Sequence, residues 1–66
     1  MKYRIEHYNL DKSIRTIEHS TNKVNAIRIA KRLVSETLGN QQVYVHRVGK
    51  SGDDGVVWYF ATGGES

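Results

Sequence analysis

The chain contains neither cysteine nor proline. Without cysteine it can form no disulfide bond and no thiolate zinc site, so neither can stabilise the fold. Without proline, the amino-terminal proline mechanism of some enzymes of this length is excluded. The absence of cysteine also suits a reducing compartment, and we expect a cytoplasmic protein.

Long apolar runs are also missing from the sequence. No segment approaches the roughly 20 apolar residues that a transmembrane helix needs. The N-terminal residues alternate between polar and apolar, and they lack the apolar core of a signal peptide. We therefore expect a soluble protein that makes no contact with membranes.

Signatures of catalysis and metal binding are absent as well. The sequence has no G-x-S-x-G, no phosphate-binding loop that opens a helix, and no H-E-x-x-H. Its three histidines fall on three different predicted strands without the spacing of metal ligands. A histidine beside Glu6 or Glu18 is the one acid–base pair that the pattern offers. The prediction is a protein that is not an enzyme and holds no metal or cofactor.

The 66 residues that are present form a single predicted domain, 1–66, with residues 62–66 as a flexible tail. A domain of this size buries only about 60% of the surface that its unfolded chain exposes. Association with a second copy would add stability, so a homodimer is compatible with the sequence. The net charge of +3 and the pI near 9.5 favour anionic partners.

Alternating polar and apolar residues predict three strands, over residues 2–8, 13–19 and 42–48. A fourth strand, over residues 56–62, is predicted by the length of this segment and its β-branched and aromatic residues. The second strand departs from the pattern, because its apolar residues Ile14 and Ile17 are three positions apart. This spacing predicts either a bulge between them or a turn longer than residues 9–12. Residues 49–55 predict a hairpin loop in which Asp53 and Asp54 are turn residues and not calcium ligands.

A single helix is predicted from about Asn22 to Leu38, after a run of N-cap residues at positions 20–22. Its apolar residues form one broad face, which suits packing flat on a sheet. They are Ala26, Ile27, Ile29, Ala30, Leu33, Val34, Thr37 and Leu38. Gly39 then occupies a position past the helix end where a left-handed backbone is common.

The predicted fold class is therefore α+β, in the order β-β-α-β-β, with a four-stranded sheet and one helix packed on one face. The order of the strands in the sheet stays open. If the second and third strands are parallel, their connection through the helix should be right-handed. The fourth strand is apolar on both faces, which predicts an interior position or an edge covered by a partner.

Since one helix shields one side of a sheet, the other side is predicted to be open. Depending on register it displays Tyr8, Tyr44 and His46, with either Tyr59 or both Trp58 and Phe60. The cations predicted nearby are Lys2, Arg4, Arg15 and Arg47. Such rings suit core filling, a protein contact or stacking on single-stranded nucleic acid.

The leading hypothesis is a small non-enzymatic binding protein, an inhibitor or adaptor, that occludes a protein partner with this aromatic and basic side of the sheet. The predicted anchors are Tyr44, Arg47, Trp58 and Tyr59. The alternative is a nucleic-acid-binding module that uses the basic face of the helix. The residues of that face are Arg28, Lys31 and Arg32.

Residues 43–47, after an alanine- and isoleucine-rich helix, resemble a segment of small bacterial and phage proteins of similar architecture. The resemblance covers five residues and implies no functional residue. The expectation of an accessory protein from a phage or mobile element follows from the small size and the missing catalytic motifs.

Overall fold

The computed structural model contains four strands and one helix in the predicted order, β-β-α-β-β, which confirms the α+β class. It describes residues 2–49 and 52–62, and for residues 52–54 it describes the backbone alone. The elements are β1 (Lys2–Asn9), β2 (Ile14–Ser20), α1 (Lys23–Glu36), β3 (Gln41–Gly49) and β4 (Gly52–Ala61).

The strands form one sheet in the order β2-β1-β3-β4, and every neighbouring pair is antiparallel. Because β1 is antiparallel to both β2 and β3, those two strands run parallel to each other, and α1 connects them. β4 lies at the edge of the sheet. Of the two predicted positions of this strand, the interior one is wrong, because β4 has a single neighbour, β3. The other, an edge covered by a partner, stays a prediction.

The hairpin of β1 and β2 has a continuous register, from Tyr3 opposite Ser20 to Asn9 opposite Ile14. No bulge therefore lies between the two isoleucines, and the turn, over residues 10–13, has the same length as the predicted one but begins one residue later. Ser13 closes this turn with a φ of +56°. Consequently Ile14 and Ile17 point to opposite sides of the sheet.

The connection between β3 and β4 is shorter than predicted. Pairing continues to Gly49 opposite Gly52, so residues 52–55 belong to β4 and the predicted seven-residue loop is wrong. Residues 50 and 51, which join the strands, lie outside the described residues. The register shifts twice, and β4 gains Asp54 and Val57 as extra residues. Each bulge places one extra residue in β4 opposite β3 and increases the local twist of the strand pair.

The helix begins where the sequence predicted. Asn22 is the N-cap, and its side-chain oxygen accepts a hydrogen bond of 3.0 Å from the backbone amide of Asn25. This bond satisfies one of the amides that the first turn leaves without a partner. No helix within residues 2–49 and 52–62 is long and apolar enough to cross a membrane.

The helix ends at Glu36, two residues before the predicted end. Thr37 is extended, so Leu38 leaves the apolar face and is 90% exposed, which corrects its predicted place in that face. Gly39 has a φ of +91°, as predicted for a left-handed residue after a helix. Gln41 of β3 contacts this end of the helix, since its side-chain amide donates hydrogen bonds to the carbonyls of Val34 and Thr37.

The core lies between α1 and the two central strands, β1 and β3. Two small residues of the helix, Ala26 and Ala30, are fully buried and allow the helix to approach the sheet closely. The buried apolar residues of the sheet are Tyr3, Ile5, Val43 and Val45. Partly buried residues surround this core, namely Ile29, Leu33, Val34, Val57, Trp58 and Phe60.

The end of β4 is held by a hydrogen bond beyond the strand. The amide of Thr62, the first residue of the predicted tail, donates to the carbonyl of Gln41 over 3.0 Å. Residues 63–66, the rest of that tail, lie outside the described residues.

Candidate binding surface on the open face of the sheet

The side of the sheet opposite α1 is called the open face below. Residues that pair across neighbouring strands point to the same side, so the register identifies its members. They include Lys2, Arg4, Glu6, Tyr8, Arg15, Ile17, His19, Gln42, Tyr44, His46, Val56, Tyr59 and Ala61. Of the two arrangements predicted for the fourth strand, the structure has Tyr59 on the open face.

Four rings from β1, β3 and β4 form a contiguous cluster on this face, defined as the ring cluster: Tyr8, Tyr44, His46 and Tyr59. Tyr44 is at its centre, with ring centroids 5.3 Å from Tyr59 and 6.1 Å from both Tyr8 and His46. Tyr59 is the most accessible member, at 58% exposure. The open face therefore presents aromatic surface to solvent across three adjacent strands.

The carboxylate of Glu6 lies beside the ring cluster, and each of its oxygens has a partner. Glu6 accepts a hydrogen bond of 2.7 Å from the hydroxyl of Tyr8, and Arg4 Nε lies 2.7 Å from its other oxygen. His46 Nε2 is 3.9 Å away. The Tyr8 hydrogen bond lowers the pKa of Glu6, with smaller lowering by the charges of Arg4 and His46, against desolvation that raises it.

The same hydrogen bond affects its donor. The Glu6 carboxylate raises the pKa of Tyr8 above the ordinary value for tyrosine, because the bond favours the protonated hydroxyl. The pair therefore remains a neutral phenol bonded to a carboxylate over a wide pH range. This bond holds the Tyr8 ring in place at the border of the ring cluster.

The charges of the open face are mostly positive. Glu6 is the single carboxylate on this face among the side chains that the structure describes, and Arg4 compensates its charge. Lys2 and Arg15 add further positive charge on the same face. An approaching surface of negative charge would therefore meet cations beside aromatic rings.

The four anchors predicted from the sequence divide between the two sides of the sheet. Tyr44 and Tyr59 are in contact on the open face. Trp58 pairs with the buried Val45, and its ring stacks on Phe60 at 6.5 Å on the helix side. Arg47 pairs with Tyr3, so it also points to the helix side, where it is exposed.

Sequence reasoning missed the contacts around Glu6, which it considered only as half of an acid–base pair with a histidine. A signal was present, because Arg4, Glu6 and Tyr8 are alternate residues of one strand and must share a face. The contribution of His46 comes from β3, and its position depends on the register between β1 and β3.

The basic helix residues of the alternative hypothesis are all exposed. Arg32 is engaged, since its guanidinium lies 3.2 Å from Glu18 on β2 and 4.0 Å from Glu36. Arg28 and Lys31 form no ion pair among the described residues, and both line a shallow groove with Val24 and Ile27. Two cations are thus available on this face, where three were predicted.

The three histidines lie on three different strands and do not form one cluster. His7 is buried, at 4% exposure, and is hydrogen-bonded to Gln41, whereas His19 and His46 belong to the open face. Arg4 pairs with both, so a cation separates them. Among the described residues no group of three or more histidine, aspartate or glutamate side chains could hold a metal ion.

Comparison with known proteins finds no match: no family model, no curated protein and no solved structure corresponds to the chain. No functional residue can therefore be transferred from a relative. The functional interpretation depends on the open face and on the basic face of α1.

Proposed function

We propose that this protein is a small non-enzymatic binding protein, an inhibitor or adaptor, that engages the acidic surface of a protein partner through its open face. The observation that carries the proposal is the ring cluster beside a net positive charge. Tyrosine and arginine contribute much of the energy of protein interfaces, because they combine large contact area with hydrogen-bonding groups. The mechanism is steric occlusion of the surface on which the open face rests.

Preorganisation supports this interpretation. The hydroxyl of Tyr44 donates a hydrogen bond of 3.2 Å to Gln42, and that of Tyr8 is bonded to Glu6. Rings that are already held in place lose less conformational entropy when a partner binds. Tyr59 is the proposed central anchor, since it is exposed and contacts Tyr44. Trp58 and Arg47 would touch only a partner that extends around the β4 edge.

The position of Glu6 favours a protein partner over single-stranded nucleic acid on this face. The phosphates of a bound strand would offer no hydrogen-bond donor to this carboxylate, which is 16% exposed. A protein surface can instead place its own donors and acceptors around the Glu6 and Arg4 pair.

Two variants of the open face test the proposal against a matched pair on the helix. The partner protein is first captured from a nuclease-treated lysate with the unaltered chain. Its affinity is then measured for two open-face variants, Tyr59→Ala and Arg15→Glu, and for two helix variants, Val24→Ala and Arg28→Glu. We expect each open-face variant to weaken binding about tenfold or more, since interface anchors typically contribute at least about 1.4 kcal/mol. The helix variants should bind like the unaltered protein. Equal affinity of all four variants would exclude the open face as the binding surface.

The second candidate function is nucleic-acid binding by the helix, which is supported by the two cations of α1 that form no ion pair among the described residues. Labelled single- and double-stranded oligonucleotides distinguish it from the first. Binding to phosphates weakens steeply between about 50 and 200 mM salt, whereas an aromatic protein interface changes little. Salt-sensitive binding that Arg28→Glu and Lys31→Glu abolish would replace the first proposal with the second.

A further inference from the structure

β4 forms a free edge of the sheet, along which some backbone groups have no neighbouring strand. Thr62 donates its amide to Gln41 on β3. The hydrogen-bonding direction of the backbone alternates along an antiparallel strand. The backbone amides and carbonyls of Phe60 and Trp58 therefore also point toward β3. The amides and carbonyls of Tyr59 and Ala61 therefore point away from β3, toward the free edge.

The two edges of the sheet differ in their protection against pairing. β2 carries Arg15 and Glu18, and charged side chains on an edge strand discourage the addition of another strand. In contrast, residues 55–62 of the β4 edge include no charged residue. Val56 and Tyr59 are more than half exposed. The bulge at Val57 limits the regular part of this edge to residues 58–62.

We propose that this edge pairs with the same edge of a second copy, antiparallel, in a homodimer. The argument for a second copy is electrostatic and geometric. Each copy carries a net charge of +3, yet the segment that meets its counterpart is uncharged, so no like charges are brought together. An antiparallel pairing of one segment with itself is also two-fold symmetric, as closed dimers require.

The regular segment determines the register. Pairing residues 58–62 with themselves places Phe60 opposite Phe60 at the two-fold axis, and Tyr59 opposite Ala61. The outward groups of Tyr59 and Ala61 then form four intermolecular backbone hydrogen bonds. Because the axis is normal to the sheet, both open faces lie on the same side. The dimer thus presents the ring cluster twice on one eight-stranded surface.

The molar mass in solution tests the pairing. Sedimentation equilibrium between about 5 and 500 µM should show a concentration-dependent dimer of the unaltered chain. Ala61→Pro removes an outward amide but no hydrogen bond to β3, and proline is tolerated at such edge positions. We expect a monomer, or a dimer dissociation constant at least tenfold higher, with an unchanged far-UV circular dichroism spectrum. Ala61→Thr keeps the amide and should dimerise normally.

Cross-linking tests the register even if Ala61→Pro does not fold. The chain has no cysteine, so a single introduced thiol reports one contact. Across the axis the two Cα atoms of residue 60 should lie about 4.5 Å apart, which is within the range of a disulfide. Phe60→Cys should therefore oxidise to a covalent dimer, whereas Ile17→Cys on β2 should not. A wholly monomeric wild type, a dimeric folded Ala61→Pro, or cross-linking of Ile17→Cys alone would each overturn the proposal.

Discussion

Gln41 joins three elements of the fold through one buried side chain. Its amide nitrogen donates to the carbonyl of Val34 over 3.2 Å and to that of Thr37 over 3.1 Å. Its oxygen lies 2.9 Å from His7 Nε2, so in this arrangement the imidazole carries a proton on Nε2 and donates. Gln41 on β3 thereby provides hydrogen-bond partners for two carbonyls at the end of α1 and for the buried His7 of β1.

Replacing this residue should be costly. Gln41→Ala removes the hydrogen-bond partner of the buried His7 imidazole and the side-chain donor to the part-buried Thr37 carbonyl, while the Val34 carbonyl keeps its bond from the Thr37 amide. We expect the free energy of unfolding to fall by about 2–3 kcal/mol. The adjacent Gln42→Ala is the matched control. Gln42 lies on the open face and accepts from Tyr44, so its loss should cost about 1 kcal/mol or less. Urea denaturation measures both, and equal costs would contradict the role assigned to Gln41.

At the scale of the element, the start of α1 depends on one cap. The sequence offers three neighbouring N-cap residues, Ser20, Thr21 and Asn22, and the structure uses Asn22. Ser20 supports the same turn, since its hydroxyl accepts from the Asn22 backbone amide over 3.2 Å. The side chain of Thr21 is exposed and forms no hydrogen bond within the described residues.

This assignment gives a prediction for the helix. Asn22→Ala removes the acceptor of the Asn25 amide and should destabilise the protein by about 1 kcal/mol. For a chain of this size such a change lowers the melting temperature by about 4–8 °C. Thr21→Ala should leave it nearly unchanged. Thermal unfolding followed by circular dichroism distinguishes the variants, and a larger effect of Thr21→Ala would show that the cap is misassigned.

For the whole molecule, the pKa of Glu6 links stability to pH. Its pKa is lower in the folded protein than in the unfolded chain, chiefly because of the Tyr8 hydrogen bond. The unfolded chain therefore binds more protons in the acid range, so this contribution is present above the unfolded pKa of glutamate. It is lost as the pH falls through the lower, folded pKa.

We accordingly expect the urea midpoint to fall on acidification from neutral pH to below the ordinary pKa of a glutamate. Part of this fall should disappear in Glu6→Gln, which has no charge to titrate. Glu36→Gln is the control, because Glu36 is exposed at the end of α1, 4.0 Å from Arg32. If Glu6→Gln and Glu36→Gln kept the same acid sensitivity as the unaltered chain, Glu6 would not be a source of it.

The order of elements and the helix face follow from local patterns in the sequence. Alternation placed Ile5 on one face of its strand, and Val43 and Val45 on one face of theirs, and all three are buried. The turn after the helix was predictable in the same way, since the left-handed region favours Gly39. Such features depend on residues within a few positions of one another, so the sequence contains them.

The edge position of β4 and the sides taken by Trp58 and Tyr59 depend on contacts between strands that are distant in sequence. A shift of one residue in register moves every side chain to the opposite face, and the bulge at Val57 is such a shift. The meeting of His46 with Glu6 likewise requires β3 to lie beside β1. Local alternation predicts which residues share a face, but backbone pairing and the packing of α1 select the face that stays open.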